Sequence, residues 1–337
     1  MFKITCEDIA SILQDYGIVG RIRNFFELQR YHYERNDPNS REVRLIVKIE
    51  LEDGMPLVVR FKNEDDVTIE LIESQSQFAD VLKNEGIITP MQYRSKGSYA
   101  NWYNIGGYDV IVTLEQFVEK EIKVVDEITA KKTGELLAKT HNIAQQHNLH
   151  ISNDVIFNPF EHNDLFDFDA FASLSRCLMG EDKTLFDKIT DKYNTYMEVL
   201  APLRKYPQYA VQGDISECNL FLTDEGDIGI FDFNRAGDNI LFCDAVMQAI
   251  FEARLMDYPE NIDEDYEAKI LASFWDGYCS VRIFSREEQE WYPYLCAIIY
   301  AFWNFDMDSL LNAHKAGNSD GVRQWLEIIW KRLEISV

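Results

Sequence analysis

Between Val43 and Ile49 every second residue is aliphatic: Val43, Leu45, Val47 and Ile49. That is the period of a strand with one face in a core, and no helix can put those four side chains on one side. The neighbouring run Arg21–Tyr33 and the apolar stretch Leu57–Phe61 are set off from it by the turn signals NDPNS and Asp53-Gly54. The pattern predicts a three-stranded antiparallel meander. Thr5 and Asp8 stand at capping-box spacing ahead of Ile9, Ile12, Leu13 and Tyr16, which places a first helix over 5–17. A second helix fits 69–84, with Ile72, Phe78 and Leu82 on one face, and strand-like runs follow near 90–95 and 108–114.

Beyond Glu115 the texture turns helical. Asp126 is placed to cap a helix reaching His147, whose buried stripe is Leu136, Leu137, Thr140, Ile143 and Ala144. Another helix fits 182–200. Short strands are expected at Ala210–Gln212, Leu220–Leu222 and Ile228–Phe231, then helices over 241–256, 263–282, 286–304 and 319–333. The run Tyr294–Trp303 is too short to cross a bilayer and reads as a core helix. At 337 residues the chain exceeds the roughly 250–300 at which single cores stop growing, so two lobes are expected. The fold class is α+β, with an antiparallel-sheet lobe over 1–115 and a mainly helical lobe over 116–337.

The formal net charge is −25, from 33 basic against 58 acidic residues, which argues against nucleic acid or an anionic membrane as partner. An acidic surface suits a cationic small molecule such as an amine, although general solubility is the plainer use of such charge. The six cysteines form no C-x-x-C pair and no zinc spacing, and no secretory leader is read ahead of them. The expected setting is the cytoplasm. Cys218 reads as a small buried filler rather than a reactive thiol.

One segment carries chemistry. Between Gln212 and Phe233 the chain reads QGDISECNLFLTDEGDIGIFDF, with Asp214, Asn219 and Asp232 standing 5 and then 13 residues apart. Phosphoryl transfer from ATP needs a carboxylate that orients the attacking hydroxyl, and oxygen ligands for the Mg²⁺ that bridges the phosphates. In the protein-kinase pattern H-R-D-x-x-x-x-N followed by D-F-G, the first Asp is the base and the Asn and second Asp hold metal, and this chain supplies those three residues.

The segment VQGDISECNLFLTDEGDIGIFDFNRAGDNILFCDAV resembles the aminoglycoside phosphotransferase family, which includes choline-kinase-like and homoserine-kinase-like enzymes of bilobal protein-kinase-like fold. Gly134, Leu137 and His141 look like that family's G-x-x-L-x-x-x-H helix, and Gly86-Ile87 with Pro90 like its strand after the first-lobe helix. The resemblance implies Asp214 as base and Asn219 and Asp232 as Mg²⁺ ligands. It implies Arg60 as the phosphate-contacting residue of the third strand, with Lys62 on the same face as the alternative. Thr113 to Phe117, including Glu115, becomes the hinge whose backbone meets adenine, and ATP the phosphoryl donor. The 1–115 lobe is then the nucleotide lobe, and 116–337 carries the base and the acceptor site. His141 is expected as a satisfied helix histidine.

Four departures accompany the resemblance. Gln212 replaces the family's His, and its amide can imitate the loop-holding hydrogen bonds. Asn234 follows Phe233 where protein kinases have Gly. No G-x-G-x-x-G lies between the first strands, where the turn ERNDPNSRE carries Arg35 and Arg41 instead. The helix Glu that partners the basic strand residue aligns with Gln75, which leaves Glu73, Glu70 or a neutral amide to hold Arg60.

The acceptor cannot be named from the chain. Glu161, Asp164, Asp167 and Asp169, then Glu252, Asp257, Trp275, Asp276, Tyr278, Trp303, Asp306 and Asp308, mix carboxylates with aromatics in a way that suits an ammonium group. The same residues also fit an interhelix core and solvated faces. The expected activity is therefore a small-molecule kinase acting on an amine-bearing alcohol; the alternative is a pseudokinase serving as a binding or assembly module. A protein kinase is less apt, because no activation segment ending in A-P-E is present.

Overall fold

The computed structural model describes residues 1–155, 157–160, 167–215, 219–255 and 265–334. They pack as two compact units: residues 1–123 with 151–153 and 217–234, and residues 124–150 with 154–216 and 235–337.

The first unit is built on a five-stranded antiparallel sheet. Helix α1 (Cys6–Asp15) is followed by β1 (Ile22–Arg30), β2 (Val43–Leu51), β3 (Leu57–Asn63), helix α2 (Ile69–Asn84), β4 (Asn101–Ile105) and β5 (Tyr108–Gln116), and the strand order is β1-β2-β3-β5-β4. The period-two run behaves as read: alternate residues of β2 are buried, and Val43, Leu45, Val47 and Ile49 pack with Ile9, Ile12 and Leu13 of α1. The capping box of α1 forms, with Thr5 and Asp8 exchanging bonds. Central β3 is buried along nearly its whole length, and this includes Arg60 and Lys62.

The strand expected at 90–95 is corrected. β5 gives the first half of its outer edge to β4, from Tyr108 paired with Ile105 to Val112 paired with Asn101. Residues 91–93 cover only the remainder, where the Tyr93 N–H donates to the Leu114 carbonyl at 2.9 Å and the Gln116 N–H to the Met91 carbonyl at 2.9 Å. Pro90, having no N–H, cannot extend that pairing. A two-stranded ribbon of β7 (Leu220–Leu222) and β8 (Ile228–Ile230) completes this unit, its strands matching expectation to within a residue.

The second unit is helical around a short ribbon of β6 (Tyr209–Val211) and β9 (Gly237–Asn239). Its helices are α3 (Glu127–Gln146), α4 (Phe168–Ser173), α5 (Gly180–Leu200), α6 (Leu241–Leu255), α7 (Tyr266–Val281), α8 (Arg286–Ala301), α9 (Asn304–Lys315) and α10 (Ser319–Leu333). The helix expected to run to 304 stops at Ala301, because Trp303 takes an extended ψ of 128° and α9 starts afresh. Helices α3 and α7 touch backbone to backbone. A Cβ on Gly134 would lie 2.1 Å from the Phe274 carbonyl oxygen, and one on Gly277 1.9 Å from that of Lys131. Across this contact the buried His141 ring meets the Tyr278 hydroxyl at 2.9 Å and Asp244 at 2.9 Å, so it is a satisfied core histidine. Among the described residues no helix is long and apolar enough to cross a membrane.

Candidate active site

Arg60 lies mid-strand on β3 opposite Thr113 of β5, and Glu115 stands two residues further along β5 on the same face. That diagonal is within reach of long side chains. The Arg60 Nε–H donates to Glu115 Oε1 at 2.9 Å, Nη2 lies 2.9 Å from the same oxygen, and Nη1 is 3.4 Å from Asp232 Oδ2. The second oxygen of Glu115 accepts from the Gln92 amide at 2.8 Å. Burial disfavours the guanidinium charge, but Asp232 and Glu115 together outweigh it and hold its pKa above the ordinary value.

The expectation that Glu73, Glu70 or a neutral amide would hold Arg60 is thereby corrected. The Glu73 carboxylate takes the Tyr99 and Ala100 N–H groups, each at 2.8 Å, and Glu70 is exposed. The Gln75 amide instead donates to the Asn234 carbonyl at 2.9 Å. Glu115 is the missed partner; only the β3–β5 register, which a single sequence does not display, brings it to Arg60.

Asp232 follows β8 in the left-handed region, at φ 56°. A non-glycine residue there is a backbone outlier of the kind concentrated at functional sites. Its turn is held on several sides. The Phe231 N–H donates to the Asn219 carbonyl at 3.0 Å, Phe233 meets Phe78 of α2 edge-on at 5.8 Å, and Asn234 bonds to Asp232 Oδ1. The Lys62 ammonium donates to the Asn234 side-chain oxygen. Burial raises the Asp232 pKa, yet Arg60 and Lys62 overcome it and keep the carboxyl below its ordinary range, hence ionised at neutral pH. Lys62 goes the other way: burial, reinforced by Arg60, lowers it to about 8.

A cavity of about 360 Å³ adjoins these groups, with Leu28, Ile46, Val58 and Phe117 among its apolar walls and Arg60, Glu115 and Asp232 among its polar ones. The Phe117 ring lies 4.1 Å beneath the Lys48 ammonium, and its N–H is taken by the Pro56 carbonyl at 2.9 Å. A smaller recess of about 40 Å³ is lined by Arg60, Gln75, Thr113 and Asn234. Between β1 and β2, where no glycine loop occurs, Tyr33–Arg35 forms one 3₁₀ turn, Tyr33 bonds to Glu64, and Arg41 stacks 4.8 Å over Tyr108.

Asp214 belongs to the second unit, in the turn after β6. Gln212 is buried and its amide oxygen accepts the Asp214 N–H at 2.7 Å, while Gln248 accepts the Ile215 N–H at 2.9 Å. Gly213 takes φ 78°, and a Cβ there would lie 2.7 Å from the Arg235 carbonyl oxygen. Asn219, in the first unit, is buried. Among the described residues no group of three or more His, Cys, Asp or Glu could hold a metal unaided.

Of the acids considered for acceptor binding, Asp167 caps α4, Asp276 pairs with Lys131 at 2.6 Å and Asp306 with Arg332 at 2.5 Å. Tyr278 and Trp303 are core residues. Glu161, Asp164, Asp257 and Cys218 lie outside the described residues.

No protein-family model matches the sequence, and no curated protein does. Solved structures do match in fold. An amicoumacin kinase in complex with AMP-PNP, Ca²⁺ and Ami is similar at TM-score 0.59 and 11% identity, over 97% of this chain and 93% of that one. A microcompartment-associated aminopropanol kinase is similar at TM-score 0.55 and 13% identity, over 96% and 94%. A spectinomycin phosphotransferase in complex with ADP and spectinomycin is similar at TM-score 0.50 and 14% identity, over 99% and 100%. The α+β fold is shared with these kinase and phosphotransferase structures.

Proposed function

We propose that this chain is a small-molecule kinase of the aminoglycoside phosphotransferase type, transferring the terminal phosphoryl group of ATP to a hydroxyl of an amine-bearing acceptor. The observation that carries the reading is Asp232, in a left-handed turn, ionised and 3.4 Å from Arg60 at the wall of a cavity of about 360 Å³. Fold neighbours named as kinases of amicoumacin and aminopropanol support the reaction class, and aminopropanol supports the amine. The net charge of −25 suits a cationic acceptor and leaves nucleic acid and anionic membrane aside.

In this reading the nucleotide base packs among Leu28, Ile46, Val58 and Phe117, while Arg60, with Lys62 beside it, faces the phosphates. Because the Phe117 N–H is already bonded to Pro56, the base meets that residue through its ring or carbonyl. Asn219 and Asp232 would hold Mg²⁺ through their hard side-chain oxygens, which fits an ion bound by few protein ligands. When bound there, Mg²⁺ neutralises charge on the transferring phosphoryl group. Asp214 orients the acceptor hydroxyl and takes its proton. The nucleotide lobe is 1–115, base and acceptor belong to 116–337, and the setting is cytoplasmic.

A phosphorylation screen over aminoglycosides, choline, ethanolamine, homoserine and sugars, with Asp214→Ala as control, tests the reading. The variant should lose about 10³-fold in turnover while keeping the thermal shift given by Mg·ATP. Wild-type turnover by Asp214→Ala would remove the base assignment. Absence of any Mg²⁺-dependent nucleotide stabilisation in the wild type would favour a binding or assembly module instead.

A further inference from the structure

Resting on that reading, we infer that Glu115 is the residue that positions Arg60 for the nucleotide phosphates, and that the arginine is set by its own sheet rather than by helix α2. An arginine side chain left loose in a cavity loses much of its binding energy to ordering, so something must fix its fork. The acidic and amide side chains of α2 near Arg60 are committed elsewhere: Glu73 to the N–H groups of Tyr99 and Ala100, Gln75 to the carbonyl of Asn234. Glu115 meets the need. One of its oxygens receives both Nε and Nη2 at 2.9 Å, and the other is fixed by Gln92 at 2.8 Å, so the carboxylate itself cannot swing.

The donor count supports the role. A guanidinium has five N–H groups. Two are directed at Glu115 and one at Asp232, which leaves one N–H on Nη1 and one on Nη2 for phosphate oxygens. The side chains of Arg60 and Glu115 are only 11% and 12% exposed, so the pair is desolvated and a missing partner is felt. Helix α2 then holds the Asp232 turn through Gln75, while β5 holds the arginine through Glu115, and the Arg60–Asp232 pair joins the two.

The test is calorimetric titration of the full-length wild type and of Glu115→Gln with Mg·ATP and with adenosine. The amide keeps the shape of the side chain and removes its charge. Glu115→Gln should weaken Mg·ATP about tenfold or more while leaving adenosine within about twofold, since Arg60 acts on phosphates alone. Equal weakening of both ligands would mark Glu115 as a base contact or a structural residue, and no weakening of either would remove it from the site; each overturns the inference. If the wild type itself bound no Mg-nucleotide, the phosphotransferase reading would fall first. A measurement independent of that variant's folding is NMR of the wild type, where an Arg60 Nε–H resonance, assigned by its loss in Arg60→Lys, should exchange slowly with water. Fast exchange of that proton would overturn the pairing.

Discussion

Asp232 and Asp214 are both acids at sharp turns beside short strands, and the chain holds them by opposite means. Asp232 carries the left-handed backbone itself, at φ 56°, and is kept ionised by two buried cations. At Asp214 the neighbouring Gly213 carries the positive φ, and the turn is fastened by neutral amides, Gln212 to the Asp214 N–H and Gln248 to the Ile215 N–H. A residue fixed by charge is poised to share that charge with an incoming cation. One fixed through its backbone is held by the shape of its turn. The difference assigns electrostatics to one turn and geometry to the other, and substitutions should separate them.

The largest effect is expected at the charged turn. Asp232→Asn should lower turnover about 10²- to 10³-fold, as when one preorganised charge partner is lost. It should also cost on the order of 3 kcal/mol in urea unfolding, because Arg60 and Lys62 are left buried with less counter-charge. Since the folded Asp232 pKa lies below its unfolded value, this stability is present at neutral pH and fades as pH falls through the folded pKa. The wild type should show that acid loss and Asp232→Asn should lack it.

Next in size is the geometric turn. Gly213→Ala places a Cβ 2.7 Å from the Arg235 carbonyl oxygen at φ 78°, so about 2–3 kcal/mol of stability should go with no change in pH profile. Lys62→Met sharpens the comparison from the cation side. With a folded pKa of about 8 against an ordinary 10.5, folded Lys62 has lost its proton between those values while the unfolded chain keeps it, so wild-type stability rises with pH across that window. The variant should be more stable at pH 7 by on the order of 2 kcal/mol and should lack that rise, as thermal unfolding at pH 7, 9 and 10 would show. Smallest is Gln212→Ala, which leaves the Asp214 N–H without its acceptor and should cost about 1–2 kcal/mol by thermal unfolding, independent of pH. Gln212→His should recover part of it.

Strand β2 and helices α2 and α10 were legible because a single periodicity runs the length of each, and β3 because it opens on an unbroken apolar run. Much of what escaped depends on pairing between segments far apart in the chain. β4 could not be told from 90–95 without knowing how β5 divides its outer edge. The break before α9 falls at Phe302 and Trp303, apolar residues that carry no stop signal. Asp214, Asn219 and Asp232 are proposed from their spacing alone, while Gln212 fastens its turn as its amide chemistry suggested. The Arg60–Glu115 pair is a diagonal across two strands, and the link from Lys62 through Asn234 to Asp232 closes over a stretch of 172 residues.

Gly134 and Gly277 act as a gauge on the second unit. With their Cβ positions only 2.1 and 1.9 Å from the facing carbonyl oxygens, a single methyl at either would push α3 and α7 apart by about an ångström or more before ordinary contact distances returned. The bond from His141 on α3 to Tyr278 on α7 is 2.9 Å long, and that much separation carries it beyond hydrogen-bonding range. Two missing side chains therefore set the length of a buried polar link one residue from Gly277 and seven from Gly134, and tolerance for substitution in this part of the chain is measured in fractions of a bond length rather than in side-chain volume.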